Sequence, residues 1–356
     1  MQKFDIGIIG ITDHFSSILE TLELMDEIDN IFLVDKDSDL LNQYRTRDKI
    51  TAVSTDINLV LRNDNIKYAQ VFAENHECPS LVLAALKAGK HVIADKPGAL
   101  NATAFEPVVK YAKDNNLIFG MHYTNRWRPE NQKIKSLIEA GAIGRLQSAQ
   151  LQLITTNVYL RNPKRWYFHK EFAGGGILNW EGCHQLDLLR YLTSQEVDNV
   201  AAICRTLSGE AITVEDIASV SMELSNGMIA TLHAGFLIPI EKGQEIISTQ
   251  IPIAIRGTEG GIWIERKGDK ATVFLESTKS PWNQSKQICY SYSPVDMVPS
   301  GYGGLYGIDF IRKFLTAGQN ENPPPVSGDD ILNNFYILDA IYESNDLKKQ
   351  IKVKHI

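Results

Sequence analysis

Apolar residues run nearly unbroken from Phe4 to Ile11 between polar flanks, the pattern of a strand covered on both faces. From about Ser16 to Met25 the period lengthens, and Ile18, Leu19, Leu22 and Met25 share one face of a helix. Ile31-Phe32-Leu33-Val34 predicts a second buried strand closed by Asp35. The alternation continues through a strand at Tyr68 to Ala73, a helix around Leu81 to Ala88, and a strand at His91 to Ala94. A helix from Ala104 to Asp114 and a strand from Leu117 to His122 follow. Strands alternating with helices predict a parallel, doubly wound sheet. Beyond Tyr123 the pattern changes. Asn131 to Ala140 predicts an amphipathic helix ended by Gly141 and Gly144, and Leu146 to Thr155 alternates as a half-buried strand. Segments at 200–204, 217–224, 228–236, 251–256, 261–266 and 271–275, with turns such as Ser225-Asn226-Gly227, predict an antiparallel sheet. Helices around 307–315 and 329–344 complete the chain.

Composition narrows the class without changing that outline. At 356 residues the chain suits two domains, each with its own core. The balance of 36 basic and 43 acidic residues, −7 overall, argues against nucleic acid or an anionic membrane as partner. Cys78, Cys183, Cys204 and Cys289 are far apart with no CxxC pair, which suits reduced thiols in a cytoplasm and neither a disulfide frame nor a metal site. The first residues pass straight into a strand, and their apolar run is too short for a signal peptide or a membrane span.

In a doubly wound sheet the ligand lies at the carboxyl ends of the strands. Those ends carry Gly10 to His14, Asp35, Glu74-Asn75-His76, Asp95-Lys96-Pro97 and His122-Tyr123. A dinucleotide fingerprint wants G-x-G-x-x-G with an acid some twenty residues on. Counted from Gly10, the second and third glycine positions hold Thr12 and Phe15, so only the first is kept. A β-carbon at Thr12 would crowd a pyrophosphate, and Asp13 adds charge of the wrong sign. Asp35 stands where a carboxylate takes ribose hydroxyls. On these residues alone, a dinucleotide, another ligand or none are all open. The Lys96-Pro97 step holds an ammonium at the ligand edge, either for proton exchange with a hydroxyl or as an exposed turn lysine.

The second candidate stretch is Ala173-Gly174-Gly175-Gly176 running into Ile177 to Asp187. Three glycines leave the backbone open to a close neighbour, a bound ligand being one candidate. His184 lies on the first turns of a helix, with Trp180 and Leu188 four residues either side on the same face. It is either a core histidine or an acid/base. The lead-in from Tyr159 to Lys170 packs four cations and four aromatics, among them Arg161 and Trp166. Such a loop suits an acidic or carbohydrate ligand, a solvated surface or a subunit contact.

With these segments in view the chain resembles the Gfo/Idh/MocA oxidoreductases over nearly its full length. The family stretch A-G-K-H-V-x-x-E-K-P is matched by Ala88 to Pro97, with Asp95 for Glu. Tyr123 to Pro129, Gly174 to Asp187, Ile255 to Gly260 and Pro323 to Gly328 resemble further family segments. The resemblance implies an N-terminal Rossmann domain at 1–122 that binds NAD(P). It implies a C-terminal α/β domain at 123–356 for substrate and oligomerisation, with a large, mostly antiparallel open sheet and a C-terminal helix free to pack back on the first domain. It also implies a homodimer or homotetramer through that sheet. Cofactor contacts would come from Gly10, Ile11, Thr12 and Asp35 at the first strands, and from Ala73, Glu74, Asn75, Asp95, Lys96 and His122 at the later ones. Asp35 favours NAD by repelling a 2′-phosphate, while the adjacent Lys36 keeps NADP open.

The implied reaction is hydride transfer between nicotinamide and a carbinol or ketone carbon of a sugar, polyol or cyclitol. Lys96 would contact the reacting hydroxyl and His184 would act as general acid/base. Tyr123, Arg126, Arg161, Trp166 and Trp180 would shape the pocket. Two departures stand out beside those at Thr12 and Phe15. Trp180 replaces an aspartate four residues before the histidine, and Glu181 is the expected substitute as orienting carboxylate. Trp180 itself is expected either as core packing or as a sugar-stacking platform. The T-P-N-x-x-H loop reads Ala73 to Cys78 and loses its proline and histidine. A redox-neutral, NAD-assisted lyase or glycosidase and a non-catalytic ligand-binding relative are the alternatives.

Overall fold

A computed structural model describes residues 2–239, 248–267, 270–293, 304–320 and 323–356. The chain divides into two compact units, Met1–Thr124 with Val295–Leu332, and Asn125–Pro294 with Asn333–Ile356.

The first unit is built on six parallel strands: β1 (Phe4–Ile9), β2 (Ile28–Val34), β3 (Ile50–Ser54), β4 (Tyr68–Val71), β5 (His91–Ala94) and β6 (Phe119–Met121). Their order is β3-β2-β1-β4-β5-β6, so the winding reverses between β1 and β4, where such sheets open a crevice for ligand. Helices Phe15–Leu24, Cys78–Lys87 and Ala102–Asp114 alternate with the strands. Continuous apolar runs become the central strands because both faces are covered; Ile6, Ile8, Leu33, Val92 and Ile93 are fully buried. β3 escaped prediction for the opposite reason: it is an edge strand whose residues are mostly half-buried, so its sequence carries no apolar run. β1 stops at Ile9, two residues short of expectation, because Gly10 turns the chain with φ +90°. A Cβ there would stand 1.9 Å from the Phe72 carbonyl oxygen, so only glycine fits. Helix Gly304–Asn320 also belongs to this unit; Leu315 accepts a 2.9 Å hydrogen bond from the Tyr68 hydroxyl.

The second unit carries a ten-stranded sheet: β7 (Leu146–Thr156), β8 (Val197–Arg205), β9 (Ile217–Leu224), β10 (Ile229–Ile238), β11 (Thr249–Gln250), β12 (Ile253–Gly257), β13 (Gly260–Lys267), β14 (Lys270–Ser277), β15 (Ile288–Tyr292) and β16 (Ile351–Lys352). The order is β15-β14-β13-β12-β7-β10-β9-β8-β16, with β11 also on β7. Among the described residues only β7 and β10 of this sheet pair in parallel. Alternation of buried and exposed residues along β9 and over Ile229–Ala234 of β10 leaves one face for the core and one open. Helices Pro129–Glu139 and Cys183–Thr193 pack on this unit, and the long helix Gly328–Leu347 ends in it. Among the described residues no helix is long and apolar enough to cross a membrane.

Candidate active site

In the first unit the candidate residues stand at the carboxyl ends of β1, β2, β4 and β5. The Ile11 amide donates to Asp35 Oδ2 at 2.8 Å and the Asp37 amide to Asp35 Oδ1 at 2.8 Å, so the acid at the end of β2 fixes the loop after β1. Each carboxylate oxygen keeps a further lone pair for a hydroxyl donor. Phe15, in place of the third fingerprint glycine, turns inward: it is 1% exposed and packs edge-on against Phe72 and Tyr44. Thr12 stays half-buried and its carbonyl accepts the Phe15 amide at 3.1 Å. His14, at the head of helix Phe15–Leu24, makes no side-chain cap bond there. Its Nδ1 instead lies 2.9 Å from Asp95 Oδ2. A glycine turn, an anchored acid and a helix start without a side-chain cap fit a dinucleotide, and Phe15 does not obstruct them.

At the β5 exit Asp95 is buried. Burial pushes its carboxyl up, but the charge and hydrogen bond of His14, with His122 and Lys96 behind it, outweigh this and hold it below the usual carboxylate value. Asp95 Oδ1 accepts the Lys96 amide at 2.8 Å, and Asn75 Oδ1 accepts the Gly98 amide at 3.2 Å. The turn that carries Lys96, itself 2% exposed, is therefore pinned from both sides. His122 lies behind it, Nε2 3.1 Å from Gln70 Oε1, its ring stacked on Phe72; burial drives its pKa down to about 4, so it is neutral. Ala73 and Glu74 are half-buried, and Glu74 lies 3.5 Å from His76 Nδ1. Lys36 is drawn to Glu77, both carboxylate oxygens 3.1 Å from its ammonium; that bond raises its pKa.

In the second unit His184 follows a widened π-turn over Leu178–Gly182 and sits, buried, at the start of helix Cys183–Thr193. Such turns insert a residue into the helical register and recur at functional positions. The turn is gripped by side chains. Asn179 Nδ2 donates to the Ala173 carbonyl at 2.6 Å, and Trp180 stacks on Tyr167 with centroids 4.4 Å apart and planes 14° from parallel. Trp166 stands edge-on to Trp180 at 5.4 Å. Trp180 is 5% exposed, a core ring and not an open platform for a sugar. Trp166, half-buried, retains accessible surface.

The same grip explains the glycines. A Cβ on Gly176 would stand 1.9 Å from the Glu215 carbonyl oxygen, and one on Gly175 1.9 Å from the Tyr342 hydroxyl. The close neighbour that the triple glycine admits is protein. Arg126 differs from expectation as well. Its Nε and Nη2 donate to Asp187 at 3.0 and 2.6 Å, a buried bidentate pair that ties the helix of His184 to the turn at Thr124–Trp127. Arg161 bonds Thr155 Oγ1 through Nη2 at 2.8 Å, and its Nη1 is 3.7 Å from Glu181. Tyr123 is fully buried.

Two family models fit this layout. One, described as "Oxidoreductase family, NAD-binding Rossmann fold", matches residues 4–123, and "GFO/IDH/MocA C-terminal domain" matches residues 131–263. The chain belongs to the Gfo/Idh/MocA oxidoreductase family. Among its Gfo/Idh/MocA-type relatives, a myo-inositol 2-dehydrogenase of Thermotoga maritima is 21% identical over 352 residues, 99% of each chain. A levoglucosan dehydrogenase of Pseudarthrobacter phenanthrenivorans is 26% identical over 338 residues, 85% of this chain and 84% of its own. The solved structure of a levoglucosan dehydrogenase in complex with NADH superimposes with TM-score 0.86 at 22% identity, covering 100% of both chains. Within the family layout, sequence reasoning missed Glu215, Tyr342, Asn179 and the Arg126–Asp187 pair. The one available signal was Glu215-Asp216, two acids in a row at the entrance to an apolar strand.

Proposed function

We propose that this oxidoreductase interconverts a secondary alcohol and a ketone on a sugar, polyol or cyclitol, with Lys96 and His184 handling the hydroxyl proton. Lys96 carries the reading: a buried lysine on a turn pinned by Asp95 and Asn75, at the ligand edge of a domain that matches NAD-binding oxidoreductases. Nicotinamide, when bound, supplies the hydride acceptor. The chain's own task is then the proton, which a lysine ammonium and a histidine can share. Gly10, the helix after it and Asp35 would hold the dinucleotide, with NAD favoured over NADP. Asp35 repels a 2′-phosphate, and the cation beside it is engaged by Glu77. The activities of the relatives supply the first substrates to try: myo-inositol and levoglucosan.

The test begins with fluorescence titration of NADH and NADPH, followed by reduction of NAD with those polyols. Saturable NADH binding and polyol-dependent reduction are expected. Lys96→Met and His184→Gln should each lower kcat ~10²–10⁴-fold, with NADH affinity in His184→Gln nearly unchanged. Failure to bind either dinucleotide would falsify the redox reading. Turnover that needs no added NAD would move it to a redox-neutral one.

We further propose that the open face of the large sheet pairs with a second copy. Ile203 and Ile229 are each 60% exposed on that face, beside a groove of about 820 Å³ lined by Gln150, Thr231, His233, Arg256 and Trp263. Sedimentation velocity should give a dimer or tetramer, and Ile229→Lys should shift it toward monomer.

A further inference from the structure

Glu215 has no part in the chemistry above, yet its buried carboxylate accepts three hydrogen bonds. It lies just before β9. Its Oε2 accepts the Gly176 amide at 2.7 Å, and its Oε1 accepts the Leu178 amide at 3.0 Å and the Tyr342 hydroxyl at 3.0 Å. Its own carbonyl accepts the Ile177 amide at 3.0 Å. Three consecutive amides at the mouth of the π-turn are thus taken by one residue. These are the donors that a helix start leaves unpaired, and a negative charge there is favoured by the helix dipole. Gly175 and Gly176 are the residues whose missing β-carbons let Tyr342 and Glu215 approach.

The long helix Gly328–Leu347 supplies a second grip. Besides Tyr342 it presents Asn334, whose Nδ2 donates to the Cys183 carbonyl at 3.0 Å, one residue before His184. Burial pushes the Glu215 carboxyl up against the amide bonds that favour its charged form. A charge kept in the core under that opposition is a costly way to cap a helix. A threonine or asparagine would satisfy amides with less desolvation, so the arrangement answers a demand for placement.

We propose that Glu215, locked by Tyr342, is a positioning residue that sets where the imidazole of His184 stands by fixing the backbone from Gly176 to Leu178. The proposal rests on His184 as the proton-handling group. Two full-chain variants test it. In Glu215→Gln the shape is kept, but an amide N–H must face one of the backbone N–H donors; Tyr342→Phe removes one bond and leaves both amides paired.

For Glu215→Gln, hydrogen exchange in peptides spanning 176–190 should quicken about tenfold or more. With whichever of myo-inositol and levoglucosan turns over faster, kcat should fall about tenfold while KM and NADH affinity stay within about twofold. Tyr342→Phe should move the same readouts in the same direction by about threefold. Val220→Ala, a buried truncation in β9, is the control for general loosening and should lower the melting temperature with kcat kept. Parent-like exchange at 176–190 in Glu215→Gln overturns the proposal. So does a kcat loss no greater than that of the control. Should Glu215→Gln not fold, Tyr342→Phe decides by the same two readouts. If His184→Gln keeps its turnover, the role of His184 fails, and the exchange data still report separately on whether Glu215 holds the turn.

Discussion

The two units place their candidate residues by different means. On the cofactor side, position comes from topology. Parallel strands end together at a winding reversal, and Gly10, Asp35 and Lys96 stand at strand exits whose register is fixed by the ladder. Around His184, position comes from side chains. A widened turn is held by Glu215, Asn179, Tyr167 and Arg126, none of which the helical period of the segment implies. Yet both halves treat their departures from the family pattern alike. Phe15, at the third glycine position of a dinucleotide fingerprint, and Trp180, where the family resemblance implies an aspartate, point inward and pack on aromatic neighbours.

That likeness can be broken by reverting both. Trp180→Asp introduces the carboxylate that the family resemblance leads one to expect but buries it against Tyr167 and Trp166, with a cavity besides. A loss of ~5 kcal/mol or more in urea unfolding is expected, with no gain in turnover. Phe15→Gly restores the third glycine of the fingerprint and empties a site lined by Phe72 and Tyr44, at ~4 kcal/mol. NADH should bind no tighter than to the parent. A tighter, stable Phe15→Gly protein would show that the aromatic obstructs the cofactor after all.

The side-chain-built half should also be the more sensitive to a single broken pair. Arg126→Ala leaves Asp187 buried without its guanidinium partner, and about 3–5 kcal/mol of stability should go with it. Replacing both, Arg126→Met with Asp187→Leu, should recover most of that loss in the same unfolding assay. A mild single variant would mean that the pair contributes little to holding the helix of His184.

How much of this could be read from the chain follows the same division. Central strands, their helices and the acid closing β2 were legible because a doubly wound sheet writes itself as apolar runs and alternation. Edge strand β3 was not, since half-covered residues need not be apolar. In the second unit most of the sheet was legible from its alternation, but edge strand β15, exposed or half-buried throughout, was not, and the two-residue strands β11 and β16 are too short to carry a period. The glycine run and His184 were visible as a motif. The meaning of the glycines was not, because Glu215 and Tyr342 arrive from 39 and 127 residues apart along the chain in relation to Gly176 and to each other. Arg126 was named as a pocket residue from the family resemblance, and its partner Asp187 lies 61 positions away.

Acid should sharpen the comparison, because the topological half holds a histidine that burial keeps neutral. The folded pKa of His122 is about 4, below the ordinary 6.5, owing first to burial. Between those values the unfolded chain takes up a proton that the folded one does not, so stability falls as pH drops from about 6.5 to 4 and is fully present above that window. The total is ~3 kcal/mol. The half-buried His91 ring, also lowered by burial, adds to the slope with the same sign. Urea midpoints measured across the window should fall steadily in the parent, and His122→Asn should flatten most of that slope. An unchanged slope in His122→Asn would assign the acid sensitivity elsewhere.

The smallest effect bears on the cofactor itself. Lys36 is the cation nearest in sequence to Asp35, and its side chain is 77% exposed, so its bond to Glu77 is worth at most ~1 kcal/mol. Glu77→Gln frees that ammonium without touching Asp35. If Lys36 stands where a 2′-phosphate would lie, NADPH should tighten relative to NADH by up to about fivefold, and salt should erase the gain. Asp35→Asn, which lifts the repulsion directly, should move the same ratio further in the same direction while loosening the Ile11 loop. Because both residues sit on the half whose geometry the sheet dictates, neither change should alter the hydrogen exchange of 176–190. A ratio that moves with Asp35 and not with Glu77 would place Lys36 away from the ribose and leave the acid alone as the determinant of NAD preference.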